Sequence, residues 1–319
     1  MAGICERPAG AGEERRIFAP RGVKREGGCG PLFCVLTWVC LRGITVGMIT
    51  LKNDYATVTV SPYGAQVMSF VPHGQPDVLW STTPAMLEAA QAKGKALRGG
   101  IPVCWPWFLA HPTEAGAPSH GLGRIRAWTQ VVPDTTADTV QAEFVLELDG
   151  RDAGWPCPTR AVLRVVLTDA LEVSLTTTNL GTQPFTLTQA LHTYLRVGEI
   201  ADVQVTGLDG LTRRHVSSGT PYAPHTGPFV FDGETEMLVA PTDALVLHDA
   251  ALSRTLTVTN HGSREFVVWN PGAEKAAGLD MPPEDYRRMV CLEAANIDEA
   301  PVVAPGESHT LVTWIKVTA

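Results

Sequence analysis

The chain is poor in charge. Only 18% of its 319 residues are Asp, Glu, Lys or Arg, and the balance is −8. Such a chain offers no broad basic surface, which excludes nucleic acid as its main partner. Long apolar runs are also missing. The stretch Leu32 to Leu41 follows Arg21, Lys24 and Arg25 in the order of a signal peptide, but it is too short to span a bilayer and Arg42 ends it. No membrane partner is expected. Cysteine is sparse beyond the first 47 residues. Cys104, Cys157 and Cys291 show neither CxxC nor metal-ligand spacing, which fits reduced, buried thiols in a cytoplasmic protein. There is no GxSxG elbow, no GxxxxGK[ST] loop and no GxGxxG turn. His111, His120 and His192 lack metal-site spacing with nearby carboxylates or cysteines. The expectation is therefore an activity with no metal, no nucleotide and no other cofactor.

What is present is an ordinary globular composition, 45% hydrophobic. The first 47 residues differ from the rest. They hold Cys5, Cys29, Cys34 and Cys40, and seven Lys/Arg against four Asp/Glu. They read as a disordered or mis-called extension, with a targeting segment or a structured extension as the alternatives. Met48 opens a strand-like sequence at once, and no composition break follows, so residues 48–319 read as one domain.

From there short runs rich in β-branched residues alternate with Gly, Pro, Asp and Asn. Strands are expected at Ala56–Val60, Ala65–Val71, Trp128–Val132, Val140–Leu148, Ala161–Leu167 and Leu171–Asn179. Further strands are expected at Phe185–Val197, Val203–Thr206, Ala244–Leu247, Thr255–Asn260, Glu265–Asn270, Met289–Ala294 and His309–Val317. Only Pro84–Lys93 and Pro283–Arg288 look helical, each with Pro near its start. The fold class is all-β, a large two-sheet sandwich.

Two segments carry the chemistry. TLTQALHTYLRV holds His192, and MVCLEAANI holds Glu293. Both alternate as strands do, so each aims an ionisable side chain from a sheet. An imidazole and a carboxylate suit general acid–base work near neutral pH. Taken alone, His192 also reads as a hydrogen-bonded core residue, and Glu293 as half of a structural ion pair. LRGGIP brings Arg98, with glycines that let backbone approach a ligand. HGLGR brings His120 and Arg124, and Arg126 competes for the role of Arg124. An arginine fork matches phosphate oxygens.

The segments LRGGIPVCWPWF, HGLGRIRAW, GWPCPTRAVLRVVL, QALHTYLRVGEI and VVWNPGAEKAAGLDMPPEDYRRMVCLEAANI resemble, in this order, the hexose-6-phosphate mutarotases. These are also called glucose-6-phosphate 1-epimerases, within the galactose mutarotase-like superfamily. The resemblance runs from about Met48 to the C-terminus. It implies a galactose mutarotase-type sandwich, a cofactor-independent isomerase and a hexose phosphate as the small-molecule partner. It implies His192 and Glu293 as the catalytic pair, Arg98 and Arg124 facing the phosphate, and His120 lining the pocket. Asp209 in GLDG is a weaker match, because Leu211 to His215 stand where the family has an aromatic and an aspartate. Gly272 stands where the family often has Trp. The carboxylate and imidazolium are expected to stabilise each other's charge. A mutarotase of free aldoses, a non-catalytic sugar-binding module and a structural β domain are the alternatives. A monomer is compatible with all of them.

Overall fold

The computed structural model describes residues 35–41, 44–131 and 140–318, with side chains from residue 47 onward. The reading of residues 1–34 lies outside the described residues. The strand Val35–Leu41 pairs with Ile44–Lys52.

The alternating segments build antiparallel sheets, because each buries one face and is followed by a turn residue. Among the described residues nine strands form the larger sheet and seven the other. The centre of the larger runs through Leu245–Asp249, Arg254–His261, Ser308–Thr318, Leu171–Asn179, Pro158–Leu167 and Val140–Asp149. The order in the other is Arg213–His215, Thr235–Val239, Glu265–Asn270, Met289–Asn296, Gln189–Leu191 and Val103–Cys104, with Tyr194–Arg196 also on Met289–Asn296. Ile49–Phe70 adds residues from a four-stranded sheet.

The core lies between the sheets. Leu191, Phe266, Val268, Val290, Leu292 and Ala294 come from the seven-stranded sheet. They cluster with Leu175, Leu256, Val258, Leu311 and Ile315 of the nine-stranded one. Trp105 links the layers with a buried hydrogen bond from its Nε1 to the Thr177 hydroxyl, 2.9 Å long. The expected all-β two-sheet sandwich is the observed architecture.

The helical expectations are met differently. Pro84–Ala92 is an α-helix, started by a Thr83 side chain that accepts from the Met86 amide. Pro283–Arg288 is a 3₁₀ turn instead, and a further short helix covers Gly272–Ala276. Among the described residues no helix is long and apolar enough to cross a membrane. The expected long strand Phe185–Val197 is broken into Phe185–Thr186, Gln189–Leu191 and Tyr194–Arg196. His192 stands in the second break.

Candidate active site

The strand Met289–Asn296 is buried at every position. Its neighbours explain why. Val290, Leu292 and Ala294 face the inter-sheet core. Cys291 and Glu293 face the other side of the sheet, where Trp80, Tyr194, Met281 and Trp269 cover the cysteine. A strand covered on both faces reads as a nearly continuous apolar run. Glu293 is its one charged residue, and its side chain is 1% exposed.

Register then sets the partner. Leu191 lies opposite Ala294 and Tyr194 opposite Cys291, so His192 falls opposite Glu293 across the break. Directly opposed residues share a face. His192 Nδ1 lies 3.2 Å from Glu293 Oε1. The contact is not aligned as a hydrogen bond, for Nδ1 has no hydrogen-bond partner and neither has Glu293 Oε2.

The break itself has a cause. The His192 amide donates to Pro102 O at 3.0 Å, and the Tyr194 amide donates to Gly100 O at 2.9 Å. The RGGIP segment is thereby stitched to the backbone on both sides of the histidine. Gly100 has φ +61, and a Cβ there would lie 2.1 Å from Val67 O. Only glycine allows that approach. The stitching carries Arg98 to the site, where its Nη1 donates to the Tyr194 hydroxyl at 3.2 Å. The HGLGR turn is fixed in the same way. A Cβ on Gly121 would lie 2.1 Å from Trp105 O. The turn places His120 with its ring centre 6.2 Å from that of His192. Arg124 Nη2 donates to Ser119 O at 2.8 Å.

Burial dominates the electrostatics. It pushes the Glu293 carboxyl well above the ordinary range. It holds His192 well below its ordinary value, and its neighbours His120, Arg124 and Arg98 add to that. His120 is held down to about 3 by burial and then by the same two arginines. Burial also pushes the thiols up, Cys104 to about 12 and Cys291 well above its ordinary value. The expected mutual stabilisation of a carboxylate and an imidazolium is therefore corrected. Desolvation works against both charges, raising the proton affinity of the carboxyl and lowering that of the imidazole. An acid and a base still stand side by side, with proton affinities drawn together.

Five of the six residues singled out in sequence are thus brought together: His192, Glu293, Arg98, His120 and Arg124. Arg98 Nε and Arg124 Nε are buried without a partner, and among the described residues neither arginine has a carboxylate in an ion pair. Arg126 is spent elsewhere, 2.6 Å from Asp152. Asp209 is exposed, and its carboxylate accepts from the Gly227 amide rather than joining the cluster. Arg214, in the segment that departs from the expected pattern, is held by Asp298.

Sequence reasoning missed three members. The Tyr194 ring stacks on His192 at 4.6 Å and 8°. Trp269 meets His192 edge-on at 5.8 Å. Cys291 brings its sulfur within 4.8 Å of donor atoms of His192 and Glu293. The period-two rule signals two of them, since Tyr194 is two positions after His192 and Cys291 two before Glu293. Trp269 needs the strand pairing, which sets it opposite Cys291.

The sequence profile of the aldose 1-epimerase family matches residues 47–316. A Salmonella typhimurium protein provisionally named a glucose-6-phosphate 1-epimerase is 31% identical over 251 residues, covering 77% of this chain and 82% of that one. An Escherichia coli protein with the same provisional name is 30% identical over 273 residues, covering 85% and 90%. A mutarotase crystal structure from Salmonella typhimurium, also provisionally named, superposes with a TM-score of 0.77 at 28% identity, covering 90% of this chain and 96% of that one. A galactose mutarotase-like protein from Clostridium acetobutylicum shares the fold, with a TM-score of 0.69 at 14% identity over 89% and 98%. From the strand register that opposes an imidazole to a carboxyl, and from a family profile that spans nearly the whole described domain, the chain belongs to the aldose 1-epimerase family and is an isomerase.

Proposed function

We propose that this aldose epimerase interconverts the α and β anomers of a hexose 6-phosphate, with glucose 6-phosphate as the reference substrate. The observation that carries the phosphate is the pair of arginines. Arg98 and Arg124 flank the His192–Glu293 pair and have no carboxylate partner among the described residues, whereas Arg126 does. A guanidinium with buried, unused donors suits a dianionic group. The provisional names of the relatives point the same way.

Ring opening needs one proton removed and one supplied. In this reading Glu293 takes the proton of the anomeric hydroxyl and His192 gives one to the ring oxygen. Sugar hydroxyls entering the site hydrogen-bond to the carboxylate and favour its ionised form, with the proton held by the imidazole. The aldehyde end then turns about its bond to C2, and closure reverses the roles. His120, held neutral, hydrogen-bonds the sugar as a wall of the pocket. Asp209 remains a rim contact only if its loop turns toward the ligand.

Anomer-exchange NMR tests the reading. Magnetisation transfer between the α and β H1 signals should be accelerated for glucose 6-phosphate over free glucose and galactose. In the Arg98→Ala, Arg124→Ala double variant the KM for the phosphosugar should rise, each lost contact costing about 1.5–3 kcal/mol. An unchanged preference for the phosphosugar in that variant would remove the phosphate role.

A further inference from the structure

Cys291 stands two residues from Glu293 on the same face of the same strand, and the ring-opening chemistry does not use it. Its sulfur, a ring nitrogen of His192 and a carboxyl oxygen of Glu293 lie within 4.8 Å of one another. All three residues are deep in the protein. His192 is the most open, with a side chain 12% exposed.

The spacing fits a tetrahedral ion. Zinc bonds of about 2.0–2.3 Å to nitrogen, oxygen and sulfur set neighbouring donors roughly 3.3–3.7 Å apart. The His192 Nδ1 to Glu293 Oε1 edge, 3.2 Å, is already at that spacing. Drawing in the sulfur from the outer limit of 4.8 Å takes a movement of about 1–1.5 Å. The donors are also free. His192 Nδ1 and Glu293 Oε2 are buried with no hydrogen-bond partner. Buried polar atoms left unpaired are costly, and they mark a place where a ligand is accommodated. The donor set of thiolate, imidazole and carboxylate selects zinc-like ions over calcium or magnesium.

We propose that a thiophilic divalent cation, for which Zn²⁺ is the probe, binds His192, Cys291 and Glu293 and switches the site off. The ion displaces the thiol proton of Cys291 and any proton held between His192 and Glu293, which pass to water. Arg98, Arg124 and His120 are the cationic and titratable groups facing the cluster, and the thiolate and carboxylate ligands offset the charge of the ion beside them. Inhibition follows because both proton-transfer groups become ligands, and that half of the proposal rests on the acid–base reading above. Metal binding does not. Sequence spacing conceals the site, because His192 lies in the break before Tyr194–Arg196, Cys291 lies on Met289–Asn296, and the two meet only through register.

The test uses the full chain and two readouts. Co²⁺, a spectroscopic stand-in for zinc, should give a thiolate-to-metal charge-transfer band in the wild type. Cys291→Ala and Cys291→Ser should both lack it, with Cys5, Cys29, Cys34 and Cys40 common to all three proteins. Zn²⁺ should slow anomer exchange in the wild type, and a chelator should restore it. The Cys291 variants should need at least about tenfold more zinc for the same loss. A charge-transfer band of equal strength in wild type and both variants would overturn the metal site, whatever the activity. So would equal sensitivity to zinc. A band confined to the wild type, in a protein with no anomer exchange at all, would support the metal site and sink the acid–base reading alone.

Discussion

At the scale of single residues, the site turns on a carboxyl that its surroundings discourage from ionising. Glu293 is 1% exposed, and burial raises its proton affinity. Its removal should be felt in two ways. Glu293→Gln and His192→Ala should each lower anomer exchange by about 10²–10⁴-fold with the fold retained, as circular dichroism would report. Wild-type rates in either variant would remove that residue from the chemistry. Stability should move the other way. A carboxyl whose folded pKa is raised stabilises fully below its unfolded pKa, and that contribution is lost as pH rises through the folded value. Glutamine carries no such loss. The Tm advantage of Glu293→Gln over wild type should therefore grow from mildly acid to mildly alkaline buffer. His192, lowered by burial, acts in the opposite sense in both proteins. A Tm difference independent of pH would show that Glu293 titrates at its ordinary value.

At the scale of elements, the RGGIP segment joins binding to catalysis. Its Gly100 carbonyl holds Tyr194, its Pro102 carbonyl holds His192, and its Arg98 reaches the Tyr194 hydroxyl. Gly100→Ala should lower both stability and turnover. The positive φ alone costs about 1–3 kcal/mol, and the Cβ meets Val67 O as well. Thermal melts and anomer exchange on one sample would check both, and an unaffected rate would uncouple the segment from His192. The same segment explains what was legible in sequence. Val203–Thr206 reads correctly because turn residues bound it and alternation fills it, and Glu265–Asn270 because turn residues bound a short apolar, β-branched run. The expected strand Phe185–Val197 does not, because its break at His192 is made by backbone bonds to Pro102 and Gly100, far earlier in the chain. Glu293 was legible as the lone charge in an apolar strand. The choice of Arg124 over Arg126 was not, since Asp152, which holds Arg126, is remote in sequence.

For the whole molecule, the seven-stranded sheet has two working faces, one packed on the nine-stranded sheet and one carrying the site. The buried bond from Trp105 to Thr177 ties the layers directly behind the RGGIP segment. Trp105→Phe should leave the Thr177 hydroxyl unpaired at a cost of about 1–3 kcal/mol. Thr177→Val in the same background should recover part of the lost Tm, because an apolar pair replaces a half-satisfied one. No recovery in the double variant would mean that packing volume, not the hydrogen bond, carries the link. The sandwich itself was legible from composition and alternation. The electrostatic state of the site was not, since it depends on how completely two sheets and the covering aromatics exclude water from Glu293 and His192.

The strand Met289–Asn296 has a further consequence before the protein is folded. It has no proline and one charge, and its partners Gln189–Leu191 and Glu265–Asn270 precede it in the chain. Outside the sheet such a segment is apt to pair with copies of itself. In the unfolded chain Glu293 is solvated and ionised, so the group that burial later pushes toward protonation is then a repulsive charge in a sticky stretch. Glu293→Gln should therefore aggregate faster than the wild type on refolding from denaturant, as light scattering would report, and equal turbidity would deny the charge that part.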